Sequence, residues 1–117
     1  MLTHTLTSTS PGITVATLAG RLTAGDALRE IETQLKALLL PAGGGPTQKL
    51  IVDLSQIDVT DSAGIGMLMQ THITAASANA VFSVAGANPR VLSVLRMTRI
   101  DKVLALYPTL AEAAAAD

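Results

Sequence analysis

The alternation of apolar and polar positions along the chain changes period several times, and each change marks a predicted element. Residues 2–7 alternate weakly and read as an edge strand. Ile13-Thr14-Val15-Ala16-Thr17-Leu18 follows a Gly12 turn and is rich in β-branched residues, so a second strand is expected there. Gly20-Arg21-Leu22-Thr23 then ends the strand and leads into a helix. Thr23 is a suitable N-cap, and Asp26 lies three residues on, where the positive helix end favours a carboxylate. Leu28, Ile31, Leu35, Leu38 and Leu39 fall on one helical face, with Glu32 and Lys36 as an i,i+4 pair on the solvent side. Pro41 must end this helix, and Pro41-Ala42-Gly43-Gly44-Gly45-Pro46 reads as a flexible loop too short to link domains.

Leu50-Ile51-Val52-Asp53-Leu54 is nearly continuous in apolar character, as in a strand buried on both faces. Ser55 to Asp61 are expected to form the loop after it. A second helix opens at Ser62, with Ile65, Leu68, Met69, His72, Ile73 and Ala76 on a common face. Residues 80–85 are a further buried strand closed by Gly86. Asn88-Pro89 is a strong helix start, a capping residue followed by proline at the first helical position. Val91, Leu92 and Leu95 form the apolar stripe of that helix. Val103 to Tyr107 is a last short strand, and Thr109-Leu110-Ala111-Glu112 has the pattern of a capping box for a final short helix. Strands alternating with helices of this length call for right-handed crossovers and parallel pairing. The expected fold is therefore α/β, a mixed sheet of about five strands with four helices, occupying residues 1–117 as one domain.

Composition narrows what such a domain does. Hydrophobic residues make up 49% of the 117 and charged ones 15%, which supports a packed core built from aliphatic side chains, because aromatics are only 2%. Net charge is −1 with no cluster of basic residues, so binding to a phosphate backbone is not expected. The scarcity of aromatics likewise argues against a platform for stacking bases. With no cysteine, disulfides, thiolate catalysis and cysteine–zinc sites are excluded. The first ten residues lack the features of a signal peptide, and no apolar run approaches the roughly 18 residues of a membrane span. A cytoplasmic protein without a membrane segment, and without a cofactor, is the expectation.

The chemistry concentrates after the apolar strand at residues 50–54, because loops at the carboxyl ends of central strands carry function in α/β domains. Asp58, Thr60, Asp61 and Ser62 lie there, followed by Ala63, Gly64, Ile65 and Gly66. Two glycines in a first helical turn each cost up to about 1 kcal/mol against alanine, so something else favours them. Close approach of another molecule is one explanation. A phosphate on Ser62 would add about −1.5 to −2 charges beside Asp58 and Asp61, at a helix end that tolerates anions. Spacing alone fits a second account equally well: Asp61 or Ser62 caps the helix and the glycines pack tightly.

The stretch Leu50-Ile51-Val52-Asp53-Leu54-Ser55 followed by Asp61-Ser62-Ala63-Gly64-Ile65-Gly66 resembles the core signature of STAS domains, the anti-sigma factor antagonist family. The order of elements is similar over essentially the whole chain. Gly20-Arg21-Leu22-Thr23 resembles the family's Gly-x-Leu-Asp turn, and Val84-Ala85-Gly86-Ala87-Asn88-Pro89 its strand-to-helix junction. The resemblance implies that Ser62 is the phosphoacceptor of a cognate serine kinase that is itself the anti-sigma factor. It implies that the unphosphorylated form binds the kinase and releases the sigma factor, and that a phosphatase resets the system. Ala63 stands in place of a second serine, which leaves Ser62 the one hydroxyl between Asp61 and Gly64. Thr23 replaces the usual aspartate in a region resembling part of the partner-binding surface. Asn79 stands where a glycine is common, and asparagine also tolerates the left-handed conformation.

The same resemblance makes Arg21, Leu22, Thr23 and Asn88 candidates for the rim of the partner surface. Asp58, Thr60 and Met67 join them by position; Met67 reads first as packing, but it lies near the turn and off the main helical stripe, where an exposed methionine suits an interface. Met69 and Met97 read as packing, Asp53 as a turn or helix cap, and His72 as a packed helix residue. With His4 its one potential mate, a metal site is not expected. Catalysis by Ser62 lacks a base nearby in sequence, so a non-enzymatic binding protein is expected. Two other roles of such domains are open: a scaffold or regulatory subunit of a stress-signalling assembly, and the tail of an anion transporter, which the lack of a membrane segment disfavours.

Overall fold

The computed structural model describes residues 1–40 and 47–116, so the glycine-rich loop expected at 41–46 lies outside the described residues. The first strands, β1 (Leu2–Ser10) and β2 (Ile13–Leu22), form a hairpin turned at Pro11-Gly12, where Gly12 takes a positive φ of 82°. The Gly12 carbonyl then accepts from the N–H groups of Gln48 and Lys49, which starts the third strand beside the second. The remaining elements are α1 (Asp26–Leu39), β3 (Lys49–Thr60), α2 (Ser62–Ser77), β4 (Val81–Ala85), α3 (Pro89–Met97), a 3-10 turn at Ile100–Lys102, β5 (Ala105–Tyr107) and α4 (Leu110–Ala115). The sheet runs β1-β2-β3-β4-β5, with β1 antiparallel to β2 and every other pairing parallel. The α/β architecture with a five-stranded mixed sheet and four helices is as expected from the sequence.

Helices α1, α2 and α3 pack on one face of the sheet. Their apolar residues, among them Ile31, Leu35, Leu68 and Leu95, join Leu18, Leu50, Val52 and Val84 in the main core. The other face carries a smaller core of Val15, Ile51, Ala85 and Ala113 beneath α4. Lys49, buried at the start of β3, ties this short helix down: its Nζ donates to the carbonyls of Ala114 and Ala116 at the helix end, where a cation is favoured. Thr109 caps α4 as expected, accepting from Glu112 N–H at 3.1 Å.

The largest departure from the sequence reading is the length of β2 and β3. Residues 55–60 were expected as loop and 20–23 as a strand end, yet the two strands run on together to Leu22 and Thr60. Two bulges in β3 permit it: register passes from Thr17↔Asp53 to Ala19↔Gln56, then from Gly20↔Ile57 to Arg21↔Val59. Each inserts one extra residue in β3. The first moves Ile57 into phase with Leu54, so both are buried despite a spacing of three. Asp53 caps the turn at this bulge, its Oδ1 accepting from Ser55 N–H at 2.9 Å, in keeping with the turn-cap reading.

Helix α1 begins after Gly25, not at Thr23, because Leu22 is still in the sheet; Gly25 provides no side-chain cap. On α1 the ion pair joins Asp26 and Arg29, whereas Glu32 and Lys36 do not meet. The last strand begins at Ala105, not Val103, because the N–H groups of Val103 and Leu104 bond back to the Ile100 carbonyl and close the 3-10 turn. Asn79 takes the left-handed conformation (φ 58°) that its side chain tolerates.

Candidate functional site

The extension of β2 and β3 carries Leu22 and Thr60 side by side to the carboxyl end of the sheet, and the candidate site is built on that end. The Leu22 carbonyl accepts from Thr60 Oγ1 at 2.9 Å and from Asp61 N–H at 3.3 Å. Asp61 is the N-cap of α2: one carboxylate oxygen accepts from Gly64 N–H and the other from Ala24 N–H, both at 3.0 Å. A single side chain thus joins the β2–α1 connection to the start of α2. The Ala24 N–H, followed by the Gly64 N–H, holds the Asp61 carboxyl below its ordinary value, because both bonds favour the ionised form; its slight burial opposes them.

Ser62 is the first residue of α2 and is exposed. Among the described residues its Oγ has no hydrogen-bond partner, so the hydroxyl stands open at a helix N-terminus. Gly66, one turn on, is exposed on the same side, and a methyl group added there would meet nothing within 4 Å. Ala63 is half-buried. Gly64, Ile65 and Met67 instead face the core.

The two glycines therefore differ. A Cβ on Gly64 would lie 2.2 Å from the Leu22 carbonyl oxygen and 2.3 Å from Thr60 Oγ1, so this glycine lets α2 approach the end of β2. Its place is explained by internal packing, not by access for a partner. Of the expected rim residues, Leu22 is 0% exposed and Met67 2%, so both belong to the core. The buried face of α2 runs through Gly64, Ile65, Met67, Leu68, Thr71, Thr74 and Ala75, so Ile65 and Leu68 lie inside as expected, whereas Met69 and His72 are half-buried and Ala76 is exposed. Thr71 is tolerated there because its hydroxyl donates to the Met67 carbonyl at 2.8 Å. Ile73, expected inside, is 51% exposed. Met97, expected to pack, is 79% exposed at the end of α3.

The remaining rim candidates do gather around this end of the sheet. Asn88 caps α3, accepting from Val91 N–H at 2.8 Å, while its amide donates to the carbonyls of Ile57 at 2.9 Å and Asp58 at 3.2 Å. Its side chain is thereby committed to the fold. Asp58 is exposed and pairs with Arg90 of α3 at 3.1 Å, a contact in water worth no more than about 1 kcal/mol. Thr60, with Val59, Pro89, Arg90, Ser93 and Val94, lines an open groove of about 520 Å³ between β3 and α3. Arg21 is exposed and pairs with Val59 across the β2–β3 ladder; Thr23 is half-buried beyond the strand end. Sequence reasoning missed Arg90 and Ala24. Arg90 carried no local signal, and Ala24 contributes only a backbone N–H.

Neither histidine hydrogen-bonds to the exposed Ser62 hydroxyl among the described residues. His72 lies ten residues along α2 from Ser62, about 15 Å at the helical rise. His4 on β1 is bonded to Gln34 at 2.7 Å. No group of three metal-ligating side chains occurs among the described residues, and no helix there is long and apolar enough to cross a membrane.

A parallel-centred sheet with three helices on one face, and an exposed serine directly after the cap of the helix following β3, defines a domain of the STAS class. The profile of the family described as "Mlab, STAS domain" matches residues 9–108, and the chain belongs to that family. An anti-sigma factor antagonist from Mycobacterium paratuberculosis has the same fold, with a TM-score of 0.80 at 23% identity, covering 97% of this chain and 92% of that one. SpoIIAA, an anti-sigma factor antagonist, superposes in its unphosphorylated form with a TM-score of 0.81 at 17% identity over 96% of this chain and 93% of its own. The phosphorylated form of SpoIIAA, a Bacillus cell fate determinant, superposes with a TM-score of 0.75 at 15% identity over 96% of both chains. In sequence, a candidate anti-sigma factor antagonist from Thermotoga neapolitana is 29% identical over 65 residues, 56% of this chain. That match spans 58% of the relative's length, so the chain is aligned to little more than half of it.

Proposed function

We propose that this chain is an anti-sigma factor antagonist whose affinity for its partner is switched by phosphorylation of Ser62. The observation that carries the reading is the placement of Ser62: an exposed, unpartnered hydroxyl at the first position of α2, immediately after a cap anchored at both oxygens. Support comes from the family assignment, the distant sequence similarity to antagonists, and a related fold that exists in unphosphorylated and phosphorylated forms.

The partner is an anti-sigma factor serine kinase, which supplies ATP, magnesium and catalysis; a phosphatase reverses the modification. This chain supplies the acceptor and the docking surface and catalyses nothing itself, in the cytoplasm. That surface runs along the outer side of α2 from Ser62 through Gly66 to Ile73, with Asp58, Thr60 and Arg21 at its edge. A phosphate on Ser62 adds about −1.5 to −2 charges next to Asp61, whose carboxylate is already ionised and held in place. Because the hydroxyl points to water, the added charge changes the surface without displacing a core contact.

The test is a binding assay with the cognate kinase using wild type, Ser62→Ala and Ser62→Asp, with a thermal melt of each. Ser62→Asp is expected to lose at least tenfold in affinity while melting within a few degrees of wild type. Retention of full affinity would remove the charge switch, and a collapse of the melt would mean that the charge acts through the fold.

A further inference from the structure

A second cavity, of about 430 Å³, lies on the β5 flank of the domain, between α3 and the 3-10 turn. Its volume falls within the roughly 300–1,000 Å³ typical of small-molecule sites. Val84, Leu92 and Leu106 give it an apolar floor, and Arg96, Asp101 and Tyr107 supply the polar groups of its wall. Among the described residues, none of these three polar side chains makes a hydrogen bond or an ion pair. Arg96 and Asp101 are of opposite charge and five residues apart, yet they do not pair with each other.

Ordinary helix electrostatics accounts for part of this. Arg96 sits in the last turn of α3 and Asp101 in the first turn of the 3-10 helix, each at the end that favours its charge. That explains the sign of each residue but leaves both without a protein partner beside an apolar floor among the described residues. An anion bound at Arg96 alone would place like charge near Asp101, and a cation at Asp101 alone would do the same to Arg96. A ligand with both charges and an apolar body meets all three features, since it neutralises both groups as water leaves the cavity.

We infer that this cavity binds a small zwitterion with an apolar side chain, an aliphatic α-amino acid, its carboxylate on Arg96 and its ammonium on Asp101. The site stands apart from the Ser62 turn, so it holds or falls independently of the phosphorylation switch. Tyr107 contributes a phenol edge to the wall and gives the site its own reporter.

The chain has one tyrosine and no tryptophan, so tyrosine emission comes from Tyr107 alone. Titration of the full chain with L-leucine, L-isoleucine and L-valine is expected to give a saturable change in that emission with at least one of them. L-leucinamide lacks the carboxylate and N-acetyl-L-leucine the ammonium; each is expected to bind about tenfold or more weakly than leucine, the loss of one charge-assisted contact. Arg96→Gln should weaken leucine by the same factor and leave leucinamide unchanged, and Asp101→Asn should do the converse for N-acetyl-leucine. Arg96 is exposed and Asp101 half-buried, and a circular dichroism melt within a few degrees of wild type checks that each variant is folded. The inference is overturned if none of the three amino acids gives a saturable change. It is equally overturned if the one-charge analogues bind as well as leucine, or if Arg96→Gln binds leucine like wild type.

Discussion

Of the helices that begin at the carboxyl end of this sheet, α2 after β3 and α3 after β4 solve the same problem differently in their first turns. Each is capped by a side-chain oxygen that accepts from the backbone N–H three residues on, at 3.0 Å from Gly64 to Asp61 and at 2.8 Å from Val91 to Asn88. Asn88 also has donors, and it spends them on the carbonyls of Ile57 and Asp58 at the end of β3. Asp61 is acceptor-only, so its second oxygen reaches a donor, the Ala24 N–H of the β2–α1 connection. At the next position α3 has Pro89, with neither N–H nor hydroxyl, whereas α2 has the exposed Ser62. Both caps are locked by the fold, but only at α2 is the residue after the cap an exposed hydroxyl. At α3 both positions serve the fold.

The largest effect expected from breaking this comparison is at Gly64. Gly64→Ala places a methyl group against the Leu22 carbonyl and Thr60 Oγ1, and urea denaturation should show a loss of about 1–3 kcal/mol or more. An unchanged midpoint would mean that α2 does not need its close approach to β2. Next comes Asn88→Asp, which keeps the capping oxygen but turns an acceptor toward the carbonyls of Ile57 and Asp58. The expected cost is about 1–3 kcal/mol, and a neutral result would show that the amide donors contribute nothing.

Asp61→Asn should cost less, about 0.5–2 kcal/mol at neutral pH, because one capping oxygen is retained. The folded carboxyl titrates below its unfolded value of 3.8, so its contribution is fully present above that value. It is lost as pH falls through the lower folded value. Melts of wild type and Asp61→Asn should therefore be well separated at pH 7 and draw together below about pH 4; curves that stay parallel to pH 2 would contradict the bonds to Ala24 and Gly64. The smallest effects lie on the exposed side of the same turn. Gly66→Ala has open space and should raise stability by about 0.5–1 kcal/mol, and Ser62→Ala should stay within about 0.5 kcal/mol of wild type. A loss of partner binding in Gly66→Ala, with stability raised, would place the partner on that face.

The caps show how far local chemistry reaches. Asn88-Pro89 and Thr109 with Glu112 are legible in the sequence because cap and recipient are three residues apart. Thr23 is as good a cap by the same rule, yet it is not used. Its neighbour Leu22 remains in the sheet because β3, bulged twice, stays alongside it for twelve residues. The partner that decides the matter lies nearly forty residues away. Helix α2 shows the same limit in its packing. It is apolar or small almost all round, so periodicity does not single out a face, and Thr71 and Thr74 are buried while Ile73 is not.

What the sequence alone determined is the element order, the fold class, the caps at Asn88 and Thr109, and the position of Ser62 at the start of a helix after a buried strand. These rest on hydrogen bonds and apolar periods that close within a few residues. Only the tertiary structure decided that Gly64 packs inward while Gly66 lies open, that Leu22 and Met67 belong to the core, and that Asp61 is fixed from two sides. Each of those depends on which atoms the β2–β3 extension brings against the first turn of α2, and a linear pattern carries no record of contacts made across that distance.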